Sequence, residues 1–156
     1  MTAPEPVLPS GPPAGREAPH TPHIVVGVDG SRASARALDW AIAEAKRSRG
    51  ALHLVSAWVF PMALGYAFTS TVAEVEKTAQ DVIDHAIAHV HEVAPDLAVT
   101  GETTEQMPAA ALVAASAGAD LLVVGSRGRG GFEGLLMGSV SQHCARHAAC
   151  SVAVVR

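Results

Sequence analysis

Aromatic side chains are scarce in this chain: two Trp, one Tyr and three Phe among 156 residues. A core without large rings has to be filled by short side chains at close range, and the chain is 49% hydrophobic and rich in Ala. Cysteine is nearly missing as well, with Cys144 and Cys150 alone. Two are too few for a disulfide scaffold, and a chain of this length buries about two-thirds of its unfolded surface without staples. That usage predicts a reduced, intracellular setting. There is no excess of basic charge: the formal net charge is −4, which lacks the footprint of a nucleic-acid binder. No apolar run approaches the ~18 residues that a membrane span needs. Met1–Pro22 has no apolar stretch of the kind a secretory signal carries. The expectation is a one-domain cytoplasmic protein with neither membrane nor nucleic acid as its partner.

Met1–Pro22 holds seven of the ten prolines and no hydrophobic periodicity, so it reads as a disordered tail ahead of a domain spanning His23–Arg156. His23–Val28 is a short apolar run, the pattern of a buried strand. It ends in Asp29-Gly30-Ser31, where Ser31 can cap a helix running to about Arg49 with Ala35, Leu38, Ile42 and Ala45 on one face and Gly50 as its stop. Ala51–Trp58 is a second strand and Val59–Thr69 a loop. From Ser70 to Val93 the positions Val72, Val75, Ala79, Val82, Ala86, Val90 and Val93 recur at helical spacing. Leu97–Glu102 is less apolar and reads as an edge strand. Pro108 opens a helix to Ala117, Asp120–Gly125 is a fourth strand, Gly138–Ala148 a helix and Ser151–Val155 a last strand. Alternating strands and helices imply a single doubly wound α/β domain: five parallel strands in the order 3-2-1-4-5, with helices on both faces.

Ser126–Met137 is the glycine-rich connection that carries chemistry. In an open parallel sheet, ligands sit beyond the strand C-termini at the switch point of strand order. Strands 1 and 4 flank that point, so Asp29 and the loop Gly125-Ser126-Arg127-Gly128-Arg129-Gly130-Gly131 should face each other. Glycine lets the backbone approach an anion, and some positions can take φ > 0. The amides of Gly138, Ser139, Val140 and Ser141 stand at a helix N-terminus, which favours phosphate, and Ser139 and Ser141 add hydroxyls. No lysine follows the glycines to make a P-loop, and Glu133 stands where the third glycine of a dinucleotide fingerprint belongs.

The spacing Gly125-x2-Gly128-x9-Gly138-Ser139 resembles the ATP-binding universal stress proteins, as do the opening Ile24–Ser31 and the ending Cys150–Val155. The resemblance covers His23–Arg156. It implies an ATP site, with Mg2+, in which Gly27 and Asp29 meet the nucleotide and Asp29 lies near the ribose or a phosphate-bound metal. Ala57 would contact adenine through its backbone and Val124 would pack on the ring. Gly125, Ser126, Arg127, Gly128, Arg129, Gly130 and Gly131 would wrap ribose and phosphates, and Gly138, Ser139, Val140 and Ser141 would hold the outer phosphates. Gln106, Ala149 and Ser151 depart from the family pattern away from this site.

Plainer roles compete at several positions. Asp29 could simply shape the opening turn of the first helix. Arg127 and Arg129 could be solvated. Trp58 could lid the adenine, but a Trp at a strand end is more often packed under a helix with its N–H satisfied. His143 and His147 share a helix face and Cys150 follows, but no fourth ligand is evident for a metal. His85, His89 and His91 read as solvated. No catalytic set for phosphoanhydride hydrolysis is visible. The expected protein is therefore an ATP-binding stress-response switch or sensor with little or no hydrolysis. The alternatives are a dimeric adaptor without nucleotide and a binder of AMP or cyclic AMP. Ser151–Val155, an apolar edge strand, predicts a homodimer.

Overall fold

Capping and periodicity set the elements in this computed structural model, which describes residues 20–60, 71–128 and 137–156. The order is β1 (His23–Gly27), α1 (Arg32–Ser48), β2 (Ala51–Trp58), α2 (Val72–Val93), β3 (Val99–Glu105), α3 (Pro108–Ala115), β4 (Leu121–Gly125), α4 (Ser139–His147) and β5 (Ser151–Val155). The strands form one sheet in the order β3-β2-β1-β4-β5, every neighbouring pair parallel. This is the doubly wound topology expected from the alternation.

Two apolar layers sandwich the sheet. On one face α1 and α2 pack against Ile24, Val26, Leu52 and Leu54. On the other, Leu112 of α3 and Cys144 of α4 cover Val25, Val55, Leu122 and Val124. Ala37, Ala41 and Ala45 are completely buried; short side chains on this stripe let α1 lie close to the strands, which is how a core poor in aromatics reaches protein density.

The structure adjusts several sequence expectations. Ala35 is exposed, and the buried stripe of α1 runs instead through Ala33, Ala37, Leu38, Ala41, Ile42 and Ala45. In α2, Val72 and Val93 are exposed while Ile83, outside the expected set, is 1% exposed. That helix begins later than Ser70, at a capping box in which Thr71 and Glu74 exchange hydrogen bonds. Arg49, not Gly50, takes the left-handed conformation that ends α1. Gly50 matters for space: a Cβ there would stand 2.7 Å from the Pro22 carbonyl oxygen. Strand β3 starts at Val99 and runs on to Glu105, because the eight-residue β2 offers it ladder partners up to Trp58. Leu97 lies in a turn instead, its N–H donating to Ala94 O. His89 is not merely solvated, since its Nε2 meets Asp39 Oδ1 of α1 at 2.7 Å.

Ordered contacts begin before His23. Ala51 N–H donates to Pro22 O at 2.8 Å, and His20 Nε2 reaches Asp120 Oδ1 at 2.8 Å. The rest of the expected tail, residues 1–19, lies outside the described residues, as do residues 61–70 and 129–136.

Strand β5 occupies a sheet edge. Val155 O accepts from Ser126 N on the β4 side, so strand alternation turns the amides of Ser151, Ala153 and Val155 inward. The N–H and C=O groups of Val152 and Val154 therefore point out from the edge. The opposite edge, β3, carries Thr and Glu along its length, a polar protection that β5 lacks.

Candidate functional site

The first side of the site is the turn after β1. Asp29 Oδ1 accepts from Ser31 N–H at 2.9 Å. Ser31 then caps α1, its Oγ accepting from Ser34 N–H at 3.1 Å, while Ser34 Oγ donates to Ser31 O at 3.0 Å. Gly30 supplies the positive φ, 78°, that closes the turn. One Asp29 oxygen thus shapes the opening of α1, the plainer role considered for it. The other faces across the strand order: a Cβ built on Gly128 would lie 2.8 Å from Asp29 Oδ2. The turn and the glycine loop meet at the switch point, as the topology requires.

The second side is the connection from β4 to α4. At Gly125 the absent side chain makes room for α1, since a Cβ would sit 2.8 Å from the Ala33 carbonyl carbon. Ser126 is buried and serves as a clasp. Its N–H donates to Val155 O, and its carbonyl accepts from Gly138 N–H at 2.7 Å and Ser141 Oγ at 3.1 Å. Ser141 Oγ also lies 2.9 Å from Gly138 O. The loop is therefore pinched at its base, with Gly138, which has no side chain to offer as a cap, at the N-cap of α4. Neither Gly125, Gly128 nor Gly138 has a positive φ. Their lack of a side chain provides space, not a left-handed backbone.

The third side is the overhang of β2. Val28 N–H donates to Val55 O at 2.9 Å, and the β1 pairing ends at Gly27 opposite Val55. Alternation then turns the N–H and C=O of Ala57 the same way, past the end of β1. They form a donor–acceptor edge with no strand partner among the described residues.

These three sides enclose a cavity of about 520 Å³, within the size range of small-molecule sites. Gly27, Asp29, Ala57, Val124, Gly125, Arg127, Gly128, Gly138, Ser139, Val140 and Ser141 all line it. Ser126 does not, being turned into the clasp; Arg129, Gly130 and Gly131 lie outside the described residues. Asp29 is the only carboxylate and Arg127 the only cation among the described lining residues. Sequence reasoning missed Ser34, Ser56, Thr78, Pro108 and Leu112, which also line the cavity. Trp58, half-buried on the α2 side of the sheet, lines it too, and so do Val75, Ala79 and Val82 of α2. The period of α2 marked those positions as apolar but could not show that its first turns face a cavity.

Other reactive groups lie elsewhere. Burial pushes the Cys144 and Cys150 thiols up, so neither is poised as a thiolate nucleophile. The His143 and His147 rings lie against each other with centroids 4.4 Å apart. Among the described residues no three His, Cys, Asp or Glu side chains converge on a metal-sized site, and no helix is long and apolar enough to cross a membrane.

A parallel doubly wound sheet with a cavity over its switch point, rimmed by glycines and a helix N-terminus, defines a class of crevice-binding α/β domains. Within that class, residues 20–156 match the universal stress protein family, and the chain belongs to that family. It is 37% identical over 138 residues to Universal stress protein Rv2623 of Mycobacterium tuberculosis, covering 88% of this chain and 46% of that protein. The chain thus spans about half the length of such curated relatives. Among solved structures, a universal stress protein in complex with cAMP shares 28% identity at a TM-score of 0.66, covering 86% of this chain and 97% of that one. The universal stress protein from Archaeoglobus fulgidus in complex with dAMP superposes with a TM-score of 0.65 at 18% identity, covering 89% of this chain and all of that one; at that identity the likeness bears on fold alone.

Proposed function

We propose that this cavity binds an adenine nucleotide, with ATP and Mg2+ as the physiological ligand, and that the chain is a nucleotide-dependent stress-response switch or sensor in the cytoplasm. The observation that carries this reading is the division of one cavity into two ends. The β2 end offers the Ala57 donor–acceptor edge between apolar walls that include Leu112 and Val124. The other end offers Asp29, Arg127, Gly128 and the start of α4 with Gly138 as its N-cap. Adenine presents an acceptor at N1 beside a donor at N6, the complement of one backbone N–H and C=O. Phosphates favour a helix N-terminus with backbone close at hand. The related protein solved with cAMP supports the choice of adenine.

Asp29 is the residue here that would hold a phosphate-bound Mg2+ or the ribose hydroxyls. Bound Mg2+ would neutralise phosphate charge. Ser139 and Val140 would meet the outer phosphates, while the Ser141 hydroxyl keeps the loop base closed. Hydrolysis needs an oriented water and charge neutralisation at the γ-phosphate. One carboxylate and one arginine among the described lining residues favour binding with little or no turnover. A dimeric adaptor without nucleotide would have no use for the spacing of Gly128 and Gly138 around this cavity. The outward amides of Val152 and Val154 support a homodimer paired along β5.

A ligand that binds only the native state stabilises it by RT ln(1 + [L]/Kd), about 2.7 kcal/mol at a hundred times Kd. Thermal melts with millimolar ATP, AMP and cyclic AMP are expected to rise for at least one of them, with calorimetry ranking the three. IMP, which reverses the N1 and C6 pattern, is expected to bind at least about tenfold more weakly than AMP. No shift and no heat with any adenine nucleotide overturns the reading.

A further inference from the structure

Trp58 ends β2 half-buried, with Val75 also half-buried and Thr78 exposed on the facing turns of α2. Residues of β2 alternate between faces: Leu52 and Leu54 pack in the layer of α1 and α2, whereas Val55 packs in the layer of α3 and α4. The same alternation puts Trp58 on the α2 side. There α2 presents Val75, Thr78, Ala79 and Val82, a stripe at helical spacing, and all four line the cavity together with Trp58. The indole N–H has no hydrogen-bond partner among the described residues. A partly exposed Trp on a cavity wall leaves a large flat apolar surface in water, and covering it with another flat ring recovers that loss.

We propose that Trp58 is the specificity-determining wall of the base end: its indole packs on the nucleotide base, backed by the Val75–Val82 stripe of α2, and makes the site select purine nucleotides by ring area. The inference rests on the nucleotide reading above and adds to it a residue and a selection rule. The Ala57 edge tells adenine from other purines by hydrogen bonding. Trp58 acts before that distinction, through contact area that a ribose phosphate lacks and a pyrimidine offers less of. Stacking of a base on an aromatic side chain is commonly worth ~1–3 kcal/mol by truncation, which is about fivefold or more in affinity.

The chain has two Trp residues, and the other, Trp40, is exposed on α1 away from the cavity lining. In the Trp40→Phe protein all indole emission reports Trp58. AMP is expected to change that emission along a curve whose midpoint equals the calorimetric Kd, while ribose 5-phosphate at the same concentrations leaves it unchanged. Trp58→Leu is expected to weaken AMP by about fivefold or more and to narrow the ratio of AMP to UMP affinity; Trp58→Phe is expected to restore most of both. The emission measurement leaves Trp58 intact and stands even if Trp58→Leu does not fold. If calorimetry shows AMP bound while Trp58 emission stays constant, or Trp58→Leu binds AMP within twofold of the parent, this proposal is overturned and the nucleotide reading survives. If the parent protein binds no nucleotide, both fall.

Discussion

Asp29 and Gly128 meet across the switch point so closely that a Cβ on Gly128 would stand 2.8 Å from Asp29 Oδ2, while Oδ1 holds the Ser31 amide. The carboxylate cannot yield without disturbing the opening of α1. Gly128→Ala is therefore expected to displace Asp29 and weaken nucleotide binding by about tenfold, the size of one hydrogen bond to a charged group. Calorimetry on the variant reads this directly. An unchanged affinity would restrict Asp29 to its turn.

Two other glycines of the same connection are expected to behave oppositely. A Cβ on Gly125 would press on the Ala33 backbone at 2.8 Å, and backbone at the start of a helix has little freedom to retreat. Gly125→Ala should lose about 1–3 kcal/mol of stability, seen as a Tm lower by several degrees. A Cβ on Gly138 meets its nearest neighbour at an ordinary 3.5 Å, and φ there is −76°. Gly138→Val should keep its circular dichroism spectrum and lose nucleotide affinity by tenfold or more, since the branched side chain stands where α4 opens on the cavity. Retained affinity would mean that the start of α4 does not seat the phosphates.

The free edge of β5 gives a test of assembly. Val154 directs its N–H outward, so Val154→Pro removes the donor that the proposed β5 pairing would use while sparing the ladder to β4. Light scattering at micromolar concentration should give about twice the chain mass for the parent and the chain mass for the variant. A parent that is already a soluble monomer ends the β5 pairing.

Asp120 sets a pH dependence at the opposite end of the sheet. The His23 N–H at 2.7 Å, with His20 beside it, holds the carboxyl below its ordinary range. A native value below the unfolded one contributes stability that is complete above about pH 4 and is lost as pH falls through the native value. Urea midpoints measured down this acid range should fall more steeply for the parent than for Asp120→Asn. Parallel curves would show that the contact carries no proton linkage.

The architecture was legible because its signals are local. Alternating buried runs and amphipathic stretches, Ser31 before α1, Pro108 at the start of α3 and the glycines after β4 each act within a few residues. From them followed the parallel sheet, its strand order and the family. Where the chain is periodic but its packing partner is distant, local spacing does not decide which stripe is buried. Ala35 and Val72 have the spacing of core residues, yet they are exposed because the sheet lies under a neighbouring stripe. The end of β3 was set by the length of β2, which no feature of β3 itself encodes.

For the site, the residue types written into the sequence determined that a glycine-lined crevice would face Asp29, since strand order alone brings β1 and β4 side by side. Only the tertiary structure decided which of those residues face the cavity and which brace it. Ser126 and Ser141 look alike in sequence, but the pinch between Gly138 and Ser126 turns the first away from the cavity and engages the hydroxyl of the second. The backbone edge of Ala57 faces the cavity because β1 stops two residues short of it, and Trp58 lines the same cavity beside α2. Such roles depend on where separate segments end relative to one another, a long-range register that packing sets and local sequence does not carry.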